Sequence, residues 1–268
     1  MSLELEFDDT FNEGELDRSR WLPYYLPHWS SRGRSAARYT LHENALHLRI
    51  DADQQPWCPE YDGDVRVSSL QTGAFSGPLG SDIGQHRFNA KAVVREEQPN
   101  VCLYTPQHGR IELCARASAD PQTMVALWMI GYEDEPERSA EICICEIFGR
   151  DVGPDGVAVG MGVHPFGDPK IVDDFSRETI PIDAREFHIY AAEWTPDGVT
   201  FFVDGAGVKR VGQSPDYPMQ LMLGIYEFPA EGERDARSYP KTFTVDYIRG
   251  YMFEEEPPRD ARALASQT

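Results

Sequence analysis

Glu141 and Glu146 are the residues whose type and spacing best suit chemistry in this 268-residue chain. They bracket Glu141-Ile-Cys-Ile-Cys-Glu146, followed by Ile147, Phe148 and Gly149. On a β-strand successive side chains alternate, so Glu141 and Cys143 share one face while Ile142 and Ile144 share the other. The isoleucines take the core face and Glu141 the open one. An unbroken strand would then send Glu146 inward, burying an unpaired carboxylate at a cost of several kcal/mol. One extra residue near Ile144 or Cys145, a β-bulge, returns Glu146 to the face of Glu141. Two carboxylates on one face, roughly 5–5.5 Å apart, are what retaining glycoside hydrolysis requires: one as nucleophile, the other as general acid and base.

The elements that must hold this pair are strands. Period-two runs recur at Ala45–Ile50, Gly109–Ala117, Val125–Ile130, Gly156–His164, Phe187–Trp194, Val199–Val203, Met219–Ile225 and Thr242–Tyr251, and turn residues separate them. Helical periodicity is scarce, which predicts an all-β jelly-roll sandwich of two antiparallel sheets. Thr195-Pro-Asp-Gly198 and Asp204-Gly205 predict hairpin turns. One sandwich domain is expected over residues 1–252, with an acidic, solvated tail from 253 to 268. Two loops, Leu22–Trp29 and Gln54–Asp64, carry Tyr24, Tyr25, Trp29, Trp57 and Tyr61. Such rings either cap the sandwich edge or form sugar-stacking platforms.

Composition narrows the partners. The chain holds 45 Asp+Glu against 25 Lys+Arg, a net charge of -20, and that field repels nucleic acid, anionic membrane surfaces and acidic polysaccharides. No apolar run is long enough to span a membrane. The cysteines, Cys58, Cys102, Cys114, Cys143 and Cys145, are odd in number and fit no zinc spacing. Without a charged-then-apolar leader, the sequence favours a cytoplasmic protein with reduced thiols, against a secreted protein whose signal has been trimmed. A monomer is expected.

The Glu141–Glu146 segment resembles, in bulged form, the Glu-x-Asp-x-x-Glu signature of family 16 glycoside hydrolases. Other segments agree in order: Phe7–Trp21 with the opening segment, Gly109-Arg-Ile-Glu112 with a Tyr-Gly-x-x-Glu strand, Val125-Ala-Leu-Trp-Met129 with a Pro-Ala-x-Trp strand. Phe187–Trp194 and Val199–Gly205 resemble the strand-turn-strand ending in Val-Asp-Gly, and Val245-Asp-Tyr-Ile-Arg249 the closing strand. The resemblance implies a jelly roll and a retaining endo-glycanase, with Glu141 as nucleophile, Glu146 as acid/base and a β-1,3 or mixed-linkage glucan as default substrate. Cys143 replaces the family's central Asp, so the hydrogen bond and the negative charge that this Asp supplies are missing.

The same resemblance implies roles for further residues. His164 ends Val157–His164, whose second face of Ala158, Gly160 and Gly162 leaves room for a ligand, and it is expected near the acid/base. Trp128 would floor the sugar subsite beside the cleavage point. Tyr226 and Glu227 would reach the cleft from a strand end, Trp57 and Trp29 would stack on sugars, and His86 would meet a hydroxyl. A structural calcium ion is implied on the side away from the cleft, bound by main-chain oxygens and Asp246, although Thr10 stands where the family shows Glu. The competing reading is a noncatalytic carbohydrate-binding protein on the same scaffold. A polysaccharide lyase would need a Tyr/His pair in a basic cleft, which the acidic balance disfavours.

Overall fold

A computed structural model describes residues 2–229 and 235–254. The strands, in chain order, are β1 (Leu3–Asp9), β2 (Arg38–His42), β3 (Ala45–Ile50), β4 (Arg66–Gln71), β5 (Gly73–Ala74), β6 (Val101–Cys102), β7 (Gly109–Arg116), β8 (Thr123–Gly131), β9 (Glu141–Phe148), β10 (Val157–His164), β11 (Asp174–Ile180), β12 (His188–Thr195), β13 (Gly198–Val203), β14 (Ala206–Val211), β15 (Met219–Glu227) and β16 (Lys241–Phe253). All pairings are antiparallel and form the expected sandwich. The front sheet runs β11-β10-β9-β8-β15-β4, and the back sheet β14-β13-β12-β7-β16-β3-β2 with β1 also paired to β16. β16 includes Phe253, one residue into the expected tail; residues 255–268 lie outside the described residues.

Alternation decides which face each strand buries. Leu127 and Met129 of β8, Ile142 of β9, Val159, Met161 and Val163 of β10, and Leu221, Leu223 and Ile225 of β15 meet Leu113, Tyr190, Phe201, Phe243 and Val245 of the back sheet in one apolar core. Burying side chains of this size contributes about 1.5–3 kcal/mol each. Both predicted hairpins are present. Thr195 pairs with Gly198, and Val203 pairs with Ala206 across Asp204 and Gly205, both at positive φ, which matches the twist of two-residue hairpins.

The aromatic loops cover the front sheet. Tyr25, Leu26, Trp29, Trp57, Val65, Ala92 and Val94 pack on Ala126, Trp128, Ile130, Met222 and Tyr226 as a second apolar cluster. The rings pack on the face of the front sheet rather than at its edge, and the expectation that Trp29 and Trp57 stack on sugars is corrected. Trp29 and Trp57 are fully buried. The Trp29 indole donates to the Gln85 carbonyl at 2.8 Å, and the Trp57 indole to Asp62 at 2.6 Å. Neither ring presents a face to a sugar.

Candidate active site

The bulge in β9 falls at Ile144. Against β8, Cys145 pairs with Leu127 and Cys143 with Trp128, so Ile144 has no partner of its own. The ladder to β10 breaks at the same point, with Glu146 opposite Gly160 and Cys143 opposite Gly162. Ile144 and Cys145 both go into the core. Glu146 therefore emerges beside Glu141 and Cys143, and all three line one cavity of about 530 Å³.

Trp128 floors this cavity, its indole donating to the Tyr226 hydroxyl at 3.0 Å. Tyr25 stands edge-on to Tyr226, with centroids 5.4 Å apart, and Trp57 backs Tyr25 at 4.6 Å. His164 enters from β10. Its Nδ1 lies 2.6 Å from Asp173, a carboxylate acceptor, so Nδ1 carries the proton and a neutral ring keeps its lone pair on Nε2. The expected empty space beside His164 is a correction: Phe175 of β11 fills it. A Cβ on Gly160 would lie 2.5 Å from the Phe175 ring, and His164 stacks on that ring at 4.7 Å. The small residues admit a neighbouring side chain and the close approach of β11 rather than a ligand.

Electrostatics separate the two carboxyls. Burial, then the charge of Glu146, pushes Glu141 up to about 8. Burial also raises Glu146, but Arg177, His164 and Arg150 pull it back. Among the described residues no hydrogen bond reaches either carboxyl group. The Cys143 thiol, buried between them, is pushed well above its ordinary value by burial first and the two glutamates second, so it stays neutral; its one hydrogen bond among the described residues is a long one, donated to the Gly160 carbonyl at 3.8 Å.

Of the residues singled out in sequence, Glu141, Cys143, Glu146, His164, Trp128, Tyr226 and His86 meet at this cavity, and four do not. Trp29 and Trp57 lie behind it. Glu227 faces inward in line with Ile225, fully buried, with Lys241 at 2.7 Å, Arg66 at 3.3 Å and the Tyr239 hydroxyl at 2.5 Å. It is a paired core carboxylate, and its role in the cleft is withdrawn. Asp246 sits in the back sheet, where β16 shifts register between Val245 and Tyr247, next to the buried thiol of Cys114. No group of three His, Cys, Asp or Glu side chains is placed to hold a metal ion among the described residues. A calcium ion prefers several oxygen ligands, so one at Asp246 would draw most of them from main-chain carbonyls, as the family resemblance implies. Sequence reasoning missed Asp62 and Phe166, both of which line the cavity. The only signal for Asp62 was its closeness to Trp57; Phe166 offered none.

The front sheet of the sandwich thus presents two carboxyls in an aromatic-lined cleft. Residues 104–249, more than half of the chain, match the profile of Glycosyl hydrolases family 16, and the chain belongs to that family. A Beta-glucanase of Rhodothermus marinus is 25% identical over 179 residues, 55% of this chain and 58% of that protein. The GlcNAcα1-4Gal-releasing endo-β-galactosidase of Clostridium perfringens superposes with a TM-score of 0.81 at 30% identity, over 93% of this chain and 62% of that one. The laminarinase of Rhodothermus marinus superposes with a TM-score of 0.66 at 22% identity, over 95% and 99%. The chain thus spans less than two thirds of the β-glucanase and of the endo-β-galactosidase it matches.

Proposed function

We propose that the chain is a retaining endo-β-glycanase acting as a monomer on a neutral β-linked polysaccharide or oligosaccharide. The observation that carries this reading is the Ile144 bulge, which delivers Glu141 and Glu146 to one cavity. A Glu141 oxygen attacks the anomeric carbon as the glycosidic bond breaks, and the Glu146 proton passes to the leaving oxygen. Glu146, now anionic, takes a proton from water, and the hydroxide formed displaces Glu141 from the same carbon. The pair works with one proton between them. In the sugar-free cavity Glu141 holds its proton strongly, so ionisation of the nucleophile is assisted by sugar hydroxyls that hydrogen-bond to it.

For the substrate, similarity to the β-glucanase supports a β-glucan, and the closer superposition on the endo-β-galactosidase supports a β-galactoside. A panel of β-glucans and galactans, with products weighed and their anomers followed by NMR, tests linkage, turnover and retention together. A second reading, binding without turnover, is favoured by one observation: Glu141 lacks a hydrogen-bond donor and is pushed up to about 8. Binding without products across the whole panel would decide for it.

A further inference from the structure

A second cavity of about 480 Å³ adjoins the catalytic one, and among the described residues only His86 and Phe166 line both. Their rings touch across the cleft, with centroids 4.6 Å apart. His86 comes from the long connection between β5 and β6, Phe166 from the connection between β10 and β11.

The backbone at this contact is strained. His86 (φ 50°), Phe166 (φ 45°) and Glu133 (φ 59°) all lie in the left-handed region, each at about 1 kcal/mol or more for a side chain of this kind. Glu133 fixes His86 by accepting its backbone N–H at 2.6 Å. Core packing does not account for Phe166, which is 48% exposed. His86 Nδ1 is buried yet has no hydrogen-bond partner among the described residues.

The second cavity is polar without a free charge. The Arg87 guanidinium is held by Asp82 at 2.9 Å and by the Ala90 and Ala92 carbonyls. The Ser139 hydroxyl accepts from the Gly167 N–H at 2.9 Å and keeps its own proton to donate. Burial pushes Glu133 up to about 8, so near neutral pH it is a carboxylic acid that both donates and accepts. Ile83 and Pro136 supply apolar surface. Neutral donors and acceptors beside apolar faces match one neutral sugar ring.

We infer that the second cavity is a sugar subsite and that the His86–Phe166 pair is the partition a glycan chain must cross to reach it, so this pair sets the oligosaccharide lengths the protein holds. The inference rests on the carbohydrate reading of the cleft. The test uses the Glu141→Gln protein and β-1,3-gluco- and β-galacto-oligosaccharides of two to six units, with affinity from calorimetry and location from the NMR signals of Gly167 and Ser139. The expected result is a step of roughly tenfold or more in affinity at one chain length, comparable to one or two hydrogen bonds, with Gly167 and Ser139 shifting only at and beyond that length. Ser139→Trp, which fills the cavity, should erase the step, and Phe166→Ala should move it to a different length. Affinity that levels off without movement of Gly167 or Ser139, while Trp128 signals shift, would overturn the subsite and leave the catalytic cleft standing. No binding of any oligosaccharide would overturn both.

Discussion

Replacing Cys143 with Asp is the most informative perturbation of the carboxylate pair. The thiol lies between Glu141 and Glu146 on the open face of β9, only 2% exposed. A protonated Asp there can donate to Glu141, which has no donor now. A hydrogen bond to a charged acceptor is worth about 1.5–3 kcal/mol, or roughly one to two pK units in favour of ionised Glu141. When the Asp itself ionises it adds a like charge near Glu146. At about 5 Å and an effective dielectric of about 20 that is about 3 kcal/mol. The cavity opens to solvent, so about half of this is realistic, near one unit. The first effect moves the acid limb of the kcat/KM profile down, and the second moves the basic limb up. The assay is the pH dependence of kcat/KM for wild type, Cys143→Asp and Cys143→Ser, the last controlling for size. A broadened bell in the Asp variant alone is expected. Identical profiles in wild type and Cys143→Asp would refute the coupling of position 143 to the carboxyls.

Glu141→Gln and Glu146→Gln should each lower kcat by more than a thousandfold while oligosaccharide affinity by calorimetry is retained; unchanged turnover in either would remove that residue from the mechanism. Glu133→Gln keeps an acceptor for the His86 N–H but cannot ionise. In the wild type, stability is full below the ordinary glutamate range and falls as pH rises toward about 8, because the unfolded chain ionises first while the folded one keeps its proton. The Gln variant should therefore gain on wild type between pH 5 and 8, by on the order of 2–4 kcal/mol, seen as a Tm gap that widens with pH; a constant gap would show that Glu133 is ionised in the fold. Lys241→Met leaves buried Glu227 short of one cation and should cost about 3–5 kcal/mol in denaturant unfolding, whereas a change in KM with stability intact would restore Glu227 to the cleft.

How much of this was legible in the sequence depended on whether the relevant contacts were local. The β9 bulge was legible because Ile142, Ile144 and Glu146 conflict within six residues, and only one local device resolves the conflict. The hairpins at Asp197–Gly198 and Asp204–Gly205 are local in the same way. Glu227 carried a usable local signal that went unread: it continues the inward series Leu221, Leu223, Ile225. What makes its burial tolerable, Arg66 and Lys241, arrives from distant strands. Trp29 and Trp57 could not be placed from composition, since a loop aromatic that lines a cleft and one that lies beneath it look alike. The partition of His86 and Phe166 joins two irregular connections, where no periodicity constrains which side chains meet.

The position of β16 has a consequence for biosynthesis. It is the last strand of the described chain, yet it lies inside the back sheet, bonded to β7 on one side and to β3 and β1 on the other. As the chain leaves the ribosome, β1, β2 and β3 cannot join β7, β12, β13 and β14 until residues 241–253 emerge. Until then β7 and β3 have open edges, and the front sheet lacks the cover that Phe243, Val245 and Ile248 of β16 supply to the core. Completion of the back sheet is therefore a late, non-local event that waits for β16, and it is slow for the reason long-range β pairing is slow. The nascent chain must be kept from edge-to-edge association in the interval. A stalled or truncated product lacking β16 would be exposed to aggregation even though every residue of the carboxylate cleft on β8, β9, β10 and β15 had already been made.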